Sequence, residues 1–486
     1  MNERLSALKP YLDTALCALF ICFLTDTTKE TLRVSAYFFA FFLIAAFLLL
    51  HTDRERLRGL DPAMVILAAG IFLKLLYVLY TAVWTRQHDV VDFGVGEGHA
   101  GYIEYIFTHN TLPPGDPRDT WAFFQPPLHH VIAAVWMKVG NRLGFAYRQL
   151  QENIQALTFF YVSAATLLSD NICRELSVGK KGRIGSALII AFHPVFILMS
   201  GSINNDALSL FLMILALYTA IRWYKKPSFT LIILLALSLG LSMMAKLSGG
   251  LLAPAVAVLF LRKLFTDREK IGKFLLQYVV FGIIVFPLGI WWELRNMLRY
   301  GMPFNYIPPV GEQLVKTDLF SRLFDLRMHS VYPAMVINGD AYDEYNVFLA
   351  MFKTSLFDDA NLSSEWALID PFAVILFVSG LILTLICVFL GIRALLGKDG
   401  LETEWRLLLG IFAVTMLAAY FSFALSAGNY SAENFRYISA LVIVSGILSG
   451  CALEHLQKDL QRIAYAVMAV FSSASAIVYI LLGFAR

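Results

Sequence analysis

The chain has 486 residues, 58% hydrophobic and 15% charged, with a formal net charge of +3. Soluble globular proteins carry about 25% charged residues, so this composition excludes one and indicates an integral membrane protein. The net charge is too small for a nucleic-acid partner. The strand alternation of an outer-membrane barrel is absent, and long apolar runs near bilayer-spanning length leave a helical bundle, in which each span satisfies its own backbone.

Spans are predicted over residues 11–24, 33–50, 62–84, 154–171, 184–200, 206–222, 229–245, 248–262, 274–292, 371–394, 406–425, 437–453 and 462–484. That is about 13 helices by the usual length criterion. Asp26 and Lys29 follow the first apolar stretch without a small-residue cleavage site, so it is expected to remain as a helix. The chain then divides into two leading helices (1–61), a core (62–292) with a long first loop (85–153), a second long loop (293–370) and C-terminal helices (371–486). Loops of this length are usually functional. The five cysteines, Cys17, Cys22, Cys173, Cys387 and Cys451, lie in spans or beside the basic face, and no disulfide framework is expected.

Basic residues set the orientation. They cluster at Arg54, Arg56 and Arg58; at Arg174, Lys180, Lys181 and Arg183; at Arg222, Lys225 and Lys226; at Arg262, Lys263, Arg268, Lys270 and Lys273; and at Arg393 and Lys398. Counting spans puts every cluster on the side of the N-terminus, the cytoplasm of a multi-pass plasma-membrane protein. Leu128–Val139 is apolar but too short to cross. Counted as a span it would throw every later basic loop outside, so it reads as an amphipathic helix on the outer surface.

The polar motifs then share the outer face. The first loop opens with Arg86, Gln87, His88, Asp89 and Asp92, followed by Glu97, His99 and Glu104 among glycines that permit tight turns. A cluster of His and carboxylates suits a metal, although no helical metal-binding spacing appears. Gln125-Pro126-Pro127-Leu128-His129-His130 reads as a rigid entry to a helix. Asn204, Asn205 and Asp206 suit the cap of the 206–222 helix, a role compatible with ligand contact. Lys246 precedes Ser248, Gly249 and Gly250, which suggests a helix break where its ammonium meets an anion instead of snorkelling. Trp291 and Trp292 anchor an interface beside Arg295 and Asn296. Glu433, Asn434, Arg436 and Tyr437 open a later span. Lys246, Arg295 and Arg436 are outer-face cations that oppose the positive-inside trend, and arginine is the preferred planar partner of phosphate.

In that order these motifs resemble the GT-C membrane glycosyltransferases, in the branch of the protein O-mannosyltransferases and lipid A aminoarabinose transferases (glycosyltransferase family 39-like). The resemblance rests on His88-Asp89-Val-Val-Asp92, Pro126-Pro127-Leu128-His129-His130, Asn205-Asp206, Lys246 to Gly249, Arg295-Asn296 with Tyr300-Gly301-Met302-Pro303, and Arg436-Tyr437. It runs from about residue 62 to 440. The family's first-loop motif is usually Asp-Glu, or an Asp with a distant Glu, so Asp89 and Asp92 compete for its role. Asp89, directly after His88, is favoured. The resemblance implies an all-α GT-C bundle and a polyprenyl-phosphate-sugar donor, whose sugar moves with inversion to a lipid, protein or wall-polymer acceptor at the outer face. It implies Asp89, or else Asp92, as base; His88, Glu97, His99, Gln125, His129, His130, Asn205 and Asp206 as sugar-seating residues; and Lys246, Arg295 and Arg436 as ligands of the lipid phosphate. A divalent metal is optional, because lysine and arginine neutralise the leaving group. The alternatives are a multi-pass transporter, or a flippase-like component that binds lipid-linked sugar without turnover. Transporter sites sit near the midplane on broken helices, whereas these polar residues are mostly in outer loops.

The topology has a direct test. Single cysteines at Thr120 and Ser364 are expected to react with an impermeant thiol reagent added to intact cells, and one at Lys180 to stay unlabelled. Labelling of Lys180 with protection of Ser364 would invert the chain and remove the outer-face site.

Overall fold

Every predicted span that falls on described residues is helical over most of its length in the computed structural model, which describes residues 2–24, 61–308, 318–333, 346–397, 400–427 and 433–485. The span expected at 33–50 lies outside these residues. Among the described residues no strand forms, and eight helices are long and apolar enough to cross a membrane, or nine if one bent pair counts as a single span. The difference from thirteen arises partly where the fold interrupts or shortens a run. Phe229–Ala245 and Ala440–Leu453 are apolar but shorter, and the run at 184–200 is broken into Lys180–Ala191 and Pro194–Gly201, bent by 50°.

That break has a local cause. Pro194 cannot donate the backbone hydrogen bond that would continue the helix. The Ala191 carbonyl, left open where the helix ends, accepts from Lys74 Nζ at 2.9 Å. Lys74 comes from the neighbouring helix Pro62–Tyr80 and is fully buried. Gly70, one turn before it, makes the approach possible: a Cβ there would meet the Ala191 carbonyl oxygen at 2.4 Å. A cation at a helix C-terminus also complements the helix dipole. The short helix after the break leads into Ser202–Asp206, so this kink aims the Asn205-Asp206 motif.

The helices Asp206–Lys225 and Phe229–Ala245 form an antiparallel pair stitched by Ser209 and Ser242, whose hydroxyls lie 3.2 Å apart. At 1.5 Å per residue the first of these is about 30 Å long, so Asp206 and Lys225 mark opposite ends of the bundle. Lys225 pairs with Glu175, and near the same end Arg174 and Arg183 bind Asp170 and Asp61. Among the described residues these basic side chains and Asp206 therefore lie toward opposite ends of the Asp206–Lys225 helix.

At the motif end the first loop folds into helices Gly98–His109 and Leu128–Arg142, which enclose a small apolar core of their own that includes Tyr102, Ile103, Ala133, Ala134 and Met137. Leu128–Arg142 is amphipathic, with Val135 and Val139 exposed and His129 and His130 buried. The second loop starts later than expected, because helix Ile271–Tyr300 runs past the predicted end at 292. The loop also folds back on the bundle as helix Val347–Phe357, which buries Lys353, Thr354, Leu356 and Phe357.

Candidate active site

The first loop is held residue by residue. One guanidinium nitrogen of Arg86 donates to both Glu365 oxygens at 2.7 and 2.8 Å, and its Nε donates to the Tyr77 hydroxyl at 3.1 Å. Gln87 accepts from the Ile203 amide at 3.0 Å and donates to the Gly201 carbonyl at 2.9 Å. Arg86, Asp89 and Val91 all have φ between 53° and 56°, a conformation costly for side chains with a Cβ and rarest for a β-branched one. The helix that follows helps to fix it: the amides of His99 and Ala100 donate to the carbonyls of Asp89 and Val90 at 2.8 and 2.9 Å. The strained turn therefore caps the open amides of Gly98–His109 and presents Asp89 to the bundle.

Four charged residues from four parts of the chain meet there. Arg436 donates to Asp89 at 3.0 Å and to Asp206 at 3.4 Å, and Lys246 donates to the other Asp206 oxygen at 2.5 Å. Both cations lie over the Tyr437 ring, 4.8 Å for Lys246 and 4.9 Å for Arg436, close enough for cation–π attraction. The side chains of Arg436 and Asp206 are 6% and 5% exposed, whereas that of Asp89 is 36% exposed. The cations are recessed and the Asp89 carboxylate is open on one side. Burial works against the Asp89 charge, but Arg436 outweighs it and holds the carboxyl below its usual range. Burial lowers the Lys246 ammonium; Asp206 pulls the other way, and Arg436 lowers it further.

Lys246 reaches this place because the helix ends at Ala245. Lys246 itself is extended (φ −156°, ψ 131°), and a 3-10 turn, Leu247–Leu252, follows. The turn packs on Ser242 so closely that a Cβ on Gly249 would lie 2.3 Å from its hydroxyl. Asn205 donates to the Ala245 carbonyl at 2.8 Å and to Gln125 at 3.3 Å, which ties the Asn-Asp motif to the lysine.

A second cluster adjoins the first. His88 Nε2 lies 2.6 Å from Asp358 and its Nδ1 2.9 Å from Asp359. Asn434 donates to both carboxylates at 2.7 and 3.0 Å, and its own oxygen accepts from the Arg436 amide at 2.9 Å. Burial opposes a charge on His88, but Asp358 and Asp359 outweigh it and push the imidazole up to about 10. His88 is therefore an imidazolium bound on both edges. These three residues form the one group among the described residues whose His and carboxylate atoms converge, within 4.8 Å, as metal ligands would. The two carboxylates face opposite ring nitrogens, so the imidazole would have to lose its proton, and one of its carboxylate bonds, before it ligated a cation. The arrangement as it stands is an ion-paired latch.

The expected site residues thus separate. His88, Asp89, Asp206, Lys246 and Arg436 come together, with Asn205 and Gln125 beside them. Asp92 and Glu97 are exposed, and among the described residues neither forms an ion pair. His99, His129 and His130 are at most 2% exposed. His99 bonds His130 at 2.8 Å and His129 bonds the Ile203 carbonyl at 2.7 Å. Burial holds His129 at about 4 and pushes the other two well below the usual histidine range, so all three are neutral packing elements behind the loop. Arg295 stacks on Trp292 at 4.6 Å and Tyr300 at 5.4 Å and donates to Asn296. No described contact joins it to Lys246 or Arg436.

Asp358, Asp359 and Glu365 were not anticipated as site residues, since an acidic pair in a long loop reads as solvated surface. Arg322 was also missed, and Glu433 was read only as the start of a span. They form a buried pair at 2.6 Å, and Arg322 donates to the Ala424 and Leu425 carbonyls. Asn434, in the same motif as Arg436, was the one available signal.

Residues 125–292 match the family model described as dolichyl-phosphate-mannose-protein mannosyltransferase, and this bears out the resemblance to membrane glycosyltransferases. Among curated proteins none matches the chain. Of solved structures, ArnT from Cupriavidus metallidurans bound to undecaprenyl phosphate is similar at 15% identity and TM-score 0.49, covering 86% of this chain and 76% of that one. The Archaeoglobus fulgidus oligosaccharyltransferase in complex with zinc and sulfate is similar at 13% identity and TM-score 0.49, covering 86% and 53%.

The latch carries a pH test. An imidazole raised from 6.5 to about 10 by folding stabilises the fold in full below pH 6.5, and that contribution is lost as pH rises through about 10. In detergent the melting temperature is expected to fall over this window, and the fall is expected to disappear in Asp358→Asn/Asp359→Asn. Because His88 is then free to lose its proton, the cost at neutral pH stays below the about 3–5 kcal/mol of an uncompensated buried charge. An unaltered alkaline slope in the double variant would remove His88 as its source.

Proposed function

We propose that the chain is an inverting glycosyltransferase that moves a sugar from a polyprenyl-phosphate donor to an acceptor hydroxyl at the outer face of the cytoplasmic membrane. The observation that carries this reading is the alternating row Asp89–Arg436–Asp206–Lys246 at the motif-bearing end of the bundle, in a chain whose residues 125–292 match a lipid-phosphate-sugar transferase family.

The row fits both halves of a displacement at the anomeric carbon. The acceptor oxygen forms the new bond to that carbon while the bond to the phosphate oxygen breaks. Asp89 takes the acceptor proton, and its exposed edge leaves room for the hydroxyl. An aspartate is a weak base, but a hydroxyl acidified late in the reaction needs little more. The departing phosphate keeps the electron pair, and Lys246 and Arg436 neutralise it in a recessed site where charge stabilisation is strong. Arg436 must exchange a carboxylate for the phosphate, and Asp89, the more exposed of its two, is the easier to release. Donor binding then frees the base from its salt bridge. A transporter would need these groups near the midplane, and they sit at a helix end.

Asp89→Asn keeps the shape and removes the charge. Turnover is expected to fall by at least the ~100-fold of a lost general base, with donor affinity retained; wild-type turnover would overturn the assignment.

Arg436→Ala is expected to weaken donor binding by about 2–5 kcal/mol, and Arg436→Lys to recover only part, because lysine lacks the planar fork. In the wild type, kcat/KM should show no acid limb above the usual carboxyl range of about 4. In Arg436→Ala the limb should move to higher pH, because the group that depresses the Asp89 carboxyl is gone. Donor affinity unchanged in both Arg436 variants would mean that Arg436 serves the fold alone.

A further inference from the structure

Helix Leu319–Phe324, in the second long loop, is inside out for a helix in water. Its arginine, Arg322, is only 5% exposed, whereas Phe320 and Phe324 are 72% and 64% exposed. At about 3.6 residues per turn the two phenylalanines, one turn apart, share a face, and Arg322, halfway between them in sequence, lies on the opposite one. The two rings pack on each other at 4.9 Å. Leu319, Leu326 and Met328 of the same segment are exposed as well. Water-facing surfaces rarely carry apolar side chains in such density without a partner.

The buried face shows what the exposed face meets. Arg322 donates to the carbonyls of Ala424 and Leu425 at 2.6 and 3.2 Å and to Glu433 at 2.6 Å. Those carbonyls belong to the last turn of helix Thr403–Ala427, where a helix leaves its acceptors open. That helix is long and apolar enough to cross a membrane. No charged residue stands between Arg406 and Ala424, which are about 27 Å apart along a helix axis, just under the about 30 Å of a hydrocarbon core. The carbonyls that hold Arg322 therefore lie where the span reaches the edge of the hydrocarbon. The phenylalanines, on the far side of the short helix, face away from the bundle at that level. Phe348, also exposed, packs on Phe421 of the same span at 5.0 Å and continues the lipid-facing surface toward this end. Headgroup charge is not the attraction. Asp318 caps the helix through Ser321 and Asp325 pairs with Arg327, so the segment offers no basic cluster to anionic lipids.

We infer that helix Leu319–Phe324 is inserted in the bilayer and that its Phe320–Phe324 face binds phospholipid acyl chains. Arg322 joins this anchor to Glu433, which precedes Asn434 and the Phe435–Ile438 turn, so the depth of the anchor sets the depth of the turn that carries Arg436. The inference is independent of the transferase reading, and its test needs neither donor nor turnover. Benzoylphenylalanine, a photo-cross-linker close to phenylalanine in shape, replaces Phe320 or, in a second variant, Phe324. The full chain is irradiated in vesicles of dioleoylphosphatidylcholine alone, at a high ratio of lipid to protein. Val414, exposed within the Thr403–Ala427 span, is the positive control position, and Asp119, exposed in the first loop, the negative one. The expected adduct weighs one phosphatidylcholine, forms at Phe320 and Phe324 in a yield comparable to that at Val414, and is missing at Asp119. Two positions keep the test decisive if one variant does not assemble. Lipid labelling at Val414 with none at Phe320 or Phe324 would leave the face in water. A cross-linked dimer would make it an interface between copies, and an internal cross-link would make it the seat of another part of this chain. Each of these results would overturn the inference.

Discussion

A guanidinium withdrawn from water organises this end of the molecule. Arg436 is almost fully buried, and a buried charge is tolerated only when it is paired and hydrogen-bonded. Its partners come from positions far apart in the chain: Asp89 is 347 residues away and Asp206 is 230. Satisfying one arginine therefore fixes the first loop, the start of the Asp206–Lys225 helix and the Phe435–Ile438 turn relative to one another. Lys246 extends the row by sharing Asp206. On the proposed reading, the same desolvation that makes the pairing obligatory makes the cations effective against the donor phosphate.

Around that row the protein spends backbone strain and buried polar groups on placement. The turn at Arg86–Val91 holds three non-glycine residues in the left-handed region, and the amides of the next helix help to keep it there. Asp358 is also left-handed (φ 55°), and its carboxylate meets His88 and Asn434. The second long loop thus works as a tie. Through Asp358 and Asp359 it grips His88, the residue before Asp89, and the asparagine that holds the Arg436 amide. Through Arg322 it grips Glu433 and the last carbonyls of helix Thr403–Ala427. Both ends of the site are braced by a segment that takes no part in the proposed chemistry.

The helix interruptions belong to the same economy. Lys74 on the Ala191 carbonyl and Asn205 on the Ala245 carbonyl both satisfy acceptors that a broken helix leaves open. Irregular backbone survives where other parts of the protein cover it, and here it delivers Asp206 and Lys246 to the same point. The long apolar run at 184–200 concealed this, because hydropathy averages over a kink. Pro194 was the visible sign.

Hydropathy by itself determined that this is a helical membrane protein, and the basic-loop count set the expectation that its motifs gather at one end. Both signals are local sums over single residues, so no partner need be known to read them. Residue chemistry likewise marked His88, Asp89, Asp206, Lys246 and Arg436. Only the tertiary structure decided which candidates meet. Asp92 and Asp89 are three residues apart and chemically identical, yet one faces a buried arginine and the other faces out, because φ at Asp89 and Val91 turns the chain between them. His99, His129 and His130 looked like wet ligands and are packing, since burial removes the charge that would have made them so. Asp358 and Asp359 looked like surface and are structural, because a loop's route over the bundle follows from contacts across hundreds of residues that no local pattern encodes.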